Sequence, residues 1–120
     1  MLTQNRQAAR KILALQCQIC KAMAHPVRLE IVELLHKRSL PAAVLLRELE
    51  ISKANLSKHM SLLLEAGIVE AIRKGREVSY RLTHPGIHEA CQIMRSILYH
   101  RLKQGEKLAS TIGPRKSRRA

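Results

Sequence analysis

Aromatic residues and aspartate are nearly absent from this sequence. It has no phenylalanine, no tryptophan and no aspartate, and its only tyrosines are Tyr80 and Tyr99. A hydrophobic core must therefore come from leucine, isoleucine, valine, alanine and methionine, which suits packed helices. No apolar run approaches the ~20 residues of a membrane span, and the opening MLTQNRQAAR lacks the apolar segment of a signal peptide. We expect a cytoplasmic protein with no membrane partner.

The chain is short and strongly basic. Its 120 residues include 22 lysines and arginines against 9 acidic residues, a formal net charge of +13. Such an excess makes nucleic acid or an anionic membrane surface the natural partner. The length predicts one domain over residues 1–112. The tail at 113–120, GPRKSRRA, is basic, lacks apolar periodicity and is predicted to be disordered.

Enzyme chemistry finds little support in the sequence. We find no nucleophile–base pair, no phosphate-binding glycine loop and no paired acids, so the chain is not expected to be an enzyme. A chain of this length can bury a modest core, but it cannot also build a catalytic cleft beside a surface for nucleic acid.

Three helices are predicted in the first half of the chain. Apolar positions near helical period indicate the first, over residues 3–24. It is broken at His25-Pro26, because proline disfavours helix at the residue before it. Pro26 then opens a second helix over residues 26–37. His25 and His36 are expected to cap or cover helix ends. A third, short helix is predicted over 41–50, opened by a proline.

The next segment predicts a reading helix followed by a hairpin. Ser52 is a good N-cap, because its hydroxyl can accept from a free backbone N–H of the first turn. Gly67 ends this fourth helix in the left-handed conformation. Runs at 68–72 and 78–82 are rich in β-forming residues and flank a glycine-bearing turn. A last helix follows Gly86. The fold class is therefore mainly α with a small β-hairpin, a winged helix-turn-helix.

This order of elements predicts binding to duplex DNA. A helix N-terminus in the major groove brings short polar side chains to base edges, and a basic wing can reach phosphates or the minor groove. Asn55 can pair with adenine through two hydrogen bonds, while Lys58 and His59 can meet phosphate or guanine. The predicted DNA-binding residues are Ser52, Lys53, Asn55, Ser57, Lys58 and His59 in the helix and Arg73, Lys74 and Arg76 in the wing.

The three cysteines are a candidate metal or redox site. Cys17 and Cys20 are three residues apart and share one helix face with Leu13, and Cys91 lies on the apolar stripe of the last helix. Free cysteine also behaves as a small buried hydrophobe. Three interpretations stay open: core packing, a redox thiol switch without a metal, or a site for a thiophilic metal ion or arsenite.

Two blocks resemble the ArsR/SmtB family of winged-helix repressors. They are KAMAHPVRLEIVELL and ISKANLSKHMSLLLEAGIVEAIRKGREVSYRL, and the resemblance covers about residues 21–82. Its most specific parts are A-H-P-x-R-L-x-I, S-x-x-x-x-S-x-H, A-G-I-V and G-R-x-V-x-Y-x-L. The resemblance implies a homodimer formed through the first and last helices, repression through a DNA operator read by the fourth helix, and release by a metal ion, oxidant or other signal.

The sequence departs from the family at its usual metal sites. Where many metal-sensing members carry Cys-x-Cys in the third helix, this chain has Pro41 and Ala43, which cannot ligate metal. The last-helix site of other members needs Asp, His and Glu at fixed positions; this chain has His84, His88 and His100 there, but no aspartate. His88 and His100 are twelve residues apart, about 120° around a helix, and so share no face. Neither usual site is present.

The favoured function is thus a sequence-specific, dimeric repressor that thiol chemistry at Cys17, Cys20 and Cys91 releases from DNA. The alternative is an architectural protein that binds DNA without sequence preference and has no inducer. A palindromic operator would separate the two.

Overall fold

The computed structural model describes residues 5–112, and the basic tail predicted at 113–120 lies outside them. The elements in chain order are α1 (Arg6–Met23), α2 (Pro26–Leu35), β1 (Leu40–Pro41), α3 (Ala42–Leu49), α4 (Lys53–Glu65), β2 (Val69–Lys74), β3 (Glu77–Leu82) and α5 (Gly86–Ile112). The chain forms two compact units that divide between His88 and Glu89. The mainly helical winged helix-turn-helix fold predicted from the sequence is confirmed.

The core of the first unit is aliphatic, as the lack of aromatic residues requires. Its fully buried side chains come from α2, α3, α4, the residue before β2 and the start of β2: Ile31, Val32, Leu45, Leu63, Ile68 and Val69. In α4 the buried positions Leu56, Met60 and Leu63 recur at helical spacing. The opposite side of α4 is consequently free for polar residues.

Helix boundaries follow the predicted caps with small shifts. Ser52 caps α4, since its Oγ accepts from the backbone N of Asn55 at 3.1 Å. The ring of His25 caps α2, its Nδ1 accepting from the backbone N of Val27 at 3.0 Å. Gly67 follows α4 with a φ of 75°, the left-handed stop that the sequence predicts. The second helix ends at Leu35, two residues earlier than predicted.

The sheet has three strands where the sequence predicted a two-stranded hairpin. Leu40 pairs with Tyr80 and Pro41 with Ser79, which gives the order β1-β3-β2. Pro41 is the N-cap of α3, as its predicted place at the helix opening requires, but its extended backbone, φ −76° and ψ 160°, also belongs to β1, which the sequence did not predict. Proline is compatible with such an edge strand, where a missing N–H leaves no ladder bond broken.

Apolar side chains remain exposed on both long helices. On α1 they are Ile12, Leu13, Leu15 and Ile19, and on α5 they include Ile93, Met94, Ile97, Leu98 and Leu102. Each of these faces repeats at helical spacing. Separately, no helix in residues 5–112 has the length and hydropathy that a membrane span requires.

Candidate nucleic-acid interface

The start of α4 presents a polar and basic surface. Lys53, Asn55, Ser57 and Lys58 are all exposed, whereas Leu56 and Met60 between and beyond them are buried. No acidic residue occurs between Glu50 and Glu65 in the sequence. The N-terminal end of a helix also carries partial positive charge from its free N–H groups. This end of α4 is therefore suited to an anionic ligand.

Ser52 has a structural role as well as its predicted contact role. Its Oγ accepts the 3.1 Å bond from the backbone N of Asn55 and so closes the first turn of α4. The hydroxyl proton stays available, because a serine hydroxyl can donate and accept at once. Ser52 can hold the helix end and still donate to a phosphate.

His59 is half-buried, unlike the other predicted contact residues of α4. Its Nδ1 lies 3.0 Å from Nη1 of Arg28 in α2, and its ring lies 4.4 Å from the ring of His25, tilted by 49°. Burial lowers the pKa of His59 below its usual 6.5, and electrostatic interactions with His25, Arg28 and Lys58 lower it further. These causes favour the neutral form of the His59 ring over the protonated form.

Arg28 is the functional candidate that sequence reasoning missed. Besides its bond to His59, its Nε donates to the carbonyl of Ala22 at 2.6 Å, near the end of α1. One side chain thus links α1, α2 and α4. The signal that could have found it was the A-H-P-x-R-L block, which places His25 and Arg28 three residues apart at the opening of one helix.

The wing carries its three basic residues near the hairpin turn. Arg73, Lys74 and Arg76 are exposed. The strands extend further than predicted, to Lys74 and from Glu77, so only Gly75 and Arg76 form the turn. Gly75 has a φ of 62°, which glycine adopts at little cost. Neighbouring residues in a strand face opposite ways, so Arg73 and Lys74 point to opposite sides of the wing.

A threonine fixes the wing to the end of the reading helix. The hydroxyl of Thr83, just after β3, donates to the carbonyl of Gly67 at 2.7 Å. Its backbone N donates to the carbonyl of Ile68 at 3.0 Å. Because Gly67 and Ile68 connect α4 to β2, these bonds hold the base of the hairpin against the end of α4.

The cysteines lie outside this surface. Cys17 and Cys20 are exposed on α1, Cys91 is partly buried on α5, and none of the three forms a disulfide. Within residues 5–112 of a single chain, no three His, Cys, Asp or Glu side chains are arranged to hold a metal ion. The assignment of the three thiols as a site stays a prediction.

The histidines near the usual family metal site have separate partners. His84 Nδ1 accepts from the backbone N of Gly86 at 2.8 Å. His88, only 6% exposed, lies 3.1 Å from Glu33 and stacks on His36 at 3.6 Å. His36 is the C-cap residue of α2, so it lies at a helix end as the sequence predicts.

Comparison with known proteins finds DNA-binding regulators. Residues 23–72 match the family described as Helix-turn-helix domain. The chain is 34% identical over 85 residues to an uncharacterised HTH-type transcriptional regulator of Mycobacterium tuberculosis, Rv0081, covering 70% of this chain and 75% of that protein. It is 33% identical over 91 residues to the HTH-type transcriptional repressor SmtB of the same species, covering 76% of this chain and 65% of that protein.

Solved structures agree with the sequence comparison. The crystal structure of M. tuberculosis Rv0081 matches with a TM-score of 0.71 and 31% identity, over 82% of this chain and 97% of that chain. A homodimeric winged helix-turn-helix DNA-binding domain from Mycobacterium bovis, Mb0332, described as a possible ArsR-family regulator, matches with a TM-score of 0.72 over 87% of this chain and 95% of that chain. At 24% identity, the second likeness concerns the fold alone.

Proposed function

Because the chain belongs to the ArsR/SmtB family of winged helix-turn-helix transcriptional regulators, we propose that it binds a specific operator as a homodimer and represses transcription. In this proposal α4 enters the major groove and contacts DNA through Ser52, Lys53, Asn55, Ser57, Lys58 and His59. Arg73, Lys74 and Arg76 of the wing contact flanking phosphates or the minor groove.

One observation carries the proposal. The exposed polar start of α4 and the exposed basic wing belong to the same compact unit, and the bonds of Thr83 join the two elements at the base of the wing. Short polar side chains can distinguish base edges, and arginine and lysine can hold the backbone. The two elements supply the two kinds of contact that specific binding needs.

Dimerisation is the second part of the proposal. The exposed apolar residues of α1 and α5 form continuous faces instead of being scattered singly over the surface. Such faces mark interaction surfaces. The M. bovis domain of the same fold is homodimeric. We assign the two faces to a twofold interface, which would present two copies of α4 to two half-sites of a palindromic operator.

The test is a selection from randomised duplex DNA by the full chain, with the mass of the complex measured by analytical ultracentrifugation. A palindromic site bound by two chains is expected. Enrichment of no sequence, with equal affinity for all duplexes, would favour the architectural DNA-binding protein instead and overturn the operator proposal.

We propose further that a thiol-directed signal releases the operator. Cys17 and Cys20 are exposed in the single chain and lie on α1, and Cys91 lies on α5. None is on α4 or the wing, so a reaction there must act by changing the spacing of the two reading helices. Oxidants, sulfide species, and thiophilic metals or arsenite are the signal classes that such thiols suit.

The thiol proposal is tested by operator titration with the protein reduced, oxidised, or loaded with Zn(II), Cd(II), Hg(II) or As(III). Weaker binding is expected with at least one treatment, and the combined Cys17→Ser, Cys20→Ser, Cys91→Ser variant should lose the response. The matching Cys→Ala set controls for the cost of burying a hydroxyl. A parent that responds to none of these treatments would assign the cysteines to packing.

A further inference from the structure

Arg28 of α2 bonds to both α1 and α4, the proposed reading helix. Its Nε donates to the carbonyl of Ala22 at 2.6 Å, and its Nη1 lies 3.0 Å from Nδ1 of His59. Both contacts are part-buried. A guanidinium presents its donors in a rigid, planar fork. The two bonds therefore fix the position of the His59 ring relative to α1 and α2.

The chemistry of this contact decides where the proton of His59 sits. A guanidinium stays charged and can only donate hydrogen bonds. The Nδ1 atom of His59 must therefore accept from Arg28, and so it carries no proton. A neutral imidazole has one N–H, which then belongs to Nε2.

The Nε2 atom of His59 is not fully buried. The structure gives this atom no partner, and no buried side-chain N or O atom among the described residues lacks a partner. His59 is half-buried as a whole. One ring edge therefore contacts Arg28, while Nε2 on the other edge has no partner in the chain and is not fully buried.

We propose that Arg28 is a positioning residue of the DNA interface, which orients His59 and holds its proton on Nε2, so that α4 presents one fixed, neutral N–H donor to the DNA. This inference rests on the proposed DNA-binding function. The acceptor on DNA is a phosphate oxygen or the O6 or N7 edge of guanine, which both accept such a donor.

The surroundings of His59 favour this neutral form. The groups that face it are the ring of His25, which precedes α2, the guanidinium of Arg28 and the ammonium of Lys58. A proton on Nδ1 would place a second donor against Arg28 and add a positive charge among these groups. His59 should therefore contribute direction to DNA binding without contributing a charge.

The first experiment locates the proton directly. Long-range 15N–1H NMR of the DNA-free protein at pH 7.5 distinguishes the two neutral tautomers. The parent is expected to show His59 with its proton on Nε2 alone, and Arg28→Met to show both tautomers. A parent His59 protonated on Nδ1, or a tautomer unchanged by Arg28→Met, would overturn the inference. If Arg28→Met does not fold, the parent spectrum and the next experiment decide.

The second experiment uses two substitutions that each keep one side of the imidazole. In His59→Gln the amide nitrogen replaces Nε2, and in His59→Asn the amide oxygen replaces Nδ1. On the DNA selected by the parent, the Gln variant should bind within about threefold of the parent, while the Asn variant should lose about tenfold, which corresponds to ~1.4 kcal/mol. If His59→Asn binds the DNA as tightly as His59→Gln or more tightly, the proposal that Nε2 donates to DNA is contradicted.

A double-mutant cycle separates positioning from simple support of the fold. Arg28→Met should weaken operator binding by about threefold or more in the parent, within the range for residues that touch one another. In the His59→Gln background it should cost little, because a Gln amide nitrogen always donates. If Arg28→Met lowers operator affinity equally in the parent and in His59→Gln, Arg28 supports only the fold and does not position His59.

Comparing operator with random duplex shows which DNA group accepts from His59. It also separates failure of this inference from failure of the proposed DNA-binding function. A loss in His59→Asn on both operator and random duplex assigns the donor to phosphate, and a loss on operator alone assigns it to a base. If the parent binds no duplex, the proposed function fails, while the tautomer of His59 still decides whether Arg28 controls the ring.

Discussion

At the scale of single residues, the ionisation of His59 makes stability depend on pH. Its pKa in the folded chain lies below 6.5, first because of burial and then because of His25, Arg28 and Lys58. A histidine of the unfolded chain binds a proton more readily, so folding becomes less favourable as pH falls from about 6.5 through the lower folded pKa. Above pH 6.5 the ring is mostly neutral in both the folded and the unfolded chain, so His59 does not lower the free energy of unfolding there.

Denaturant titrations at pH 7.5 and 5.5 measure this effect. The parent should lose more of its free energy of unfolding between the two values than His59→Gln does. Protein concentration is held constant, because dimerisation shifts apparent stability. Equal losses in the two proteins would contradict a lowered pKa for His59.

Base reading and backbone contact should separate at Asn55 and Arg76. Both side chains are exposed, one at the start of α4 and one in the wing turn. Asn55→Ala should reduce the preference for operator over random DNA by ~1–3 kcal/mol if it makes a good base contact. Arg76→Ala should weaken both DNAs alike. Fluorescence anisotropy on the two duplexes measures both effects, and Ser57→Ala provides a second reader position. If all three variants lose affinity equally for operator and random DNA, the proposal that α4 contacts base edges is contradicted.

At the scale of elements, the cap of α4 should matter for DNA binding and the cap of α1 should not. Ser52→Ala removes an acceptor for the backbone N of Asn55, and Asn5→Ala removes the matching acceptor for Ala8. Each should cost roughly 1 kcal/mol of helix stability. Only Ser52→Ala is expected to weaken operator binding, because α4 is the helix that we propose to enter the groove.

Thermal unfolding and DNA titration of the two cap variants test this expectation. The Asn5→Ala variant is the matched control, since it loses the same kind of exposed bond at a helix that does not read DNA. An equal loss of affinity in both variants would show that the effect travels through general stability.

The elements that the sequence predicted well are those set by local chemistry. The cap at Ser52, the stop at Gly67 and the basic turn around Gly75 were readable because each depends on neighbours within about four residues. Strand β1 was not, because Leu40 and Pro41 pair with Ser79 and Tyr80, some forty positions away. From the sequence, Pro41 is identified only as the residue that opens α3. Its place in an edge strand depends on β3, which is distant in the sequence.

The candidate site shows the same division. Exposed residues of α4 and the wing were identified from the basic pattern and the order of elements. The Arg28–His59 bond was not, because the two residues are 31 positions apart and lie on different helices. Sequence showed His59 as one polar residue among several, whereas its half-burial follows from how α2 packs against α4.

At the scale of the whole molecule, the net charge of +13 predicts binding that depends steeply on salt. Lysine and arginine release counterions from the phosphates they neutralise. If a dimer neutralises at least five phosphates, log affinity should fall against log salt with a slope steeper than about −4.

Titration of the operator across salt concentrations measures this slope. Arg76→Ala should make the slope shallower by about 1 for each phosphate that Arg76 neutralises in the parent complex. The His59→Gln variant should keep the parent slope, since the lowered pKa of His59 favours a neutral ring that neutralises no phosphate. Affinity that hardly changes with salt would contradict an interface built on Arg73, Lys74 and Arg76.

The two-residue strand β1 also has a consequence for behaviour at high concentration. In the order β1-β3-β2, one edge of the sheet ends in Pro41, which has no N–H to offer another strand, and the other is β2, which carries Arg73 and Lys74. Proline and like charges both oppose the addition of a further strand. At high concentration, copies of the chain are therefore not expected to aggregate through the edges of this sheet.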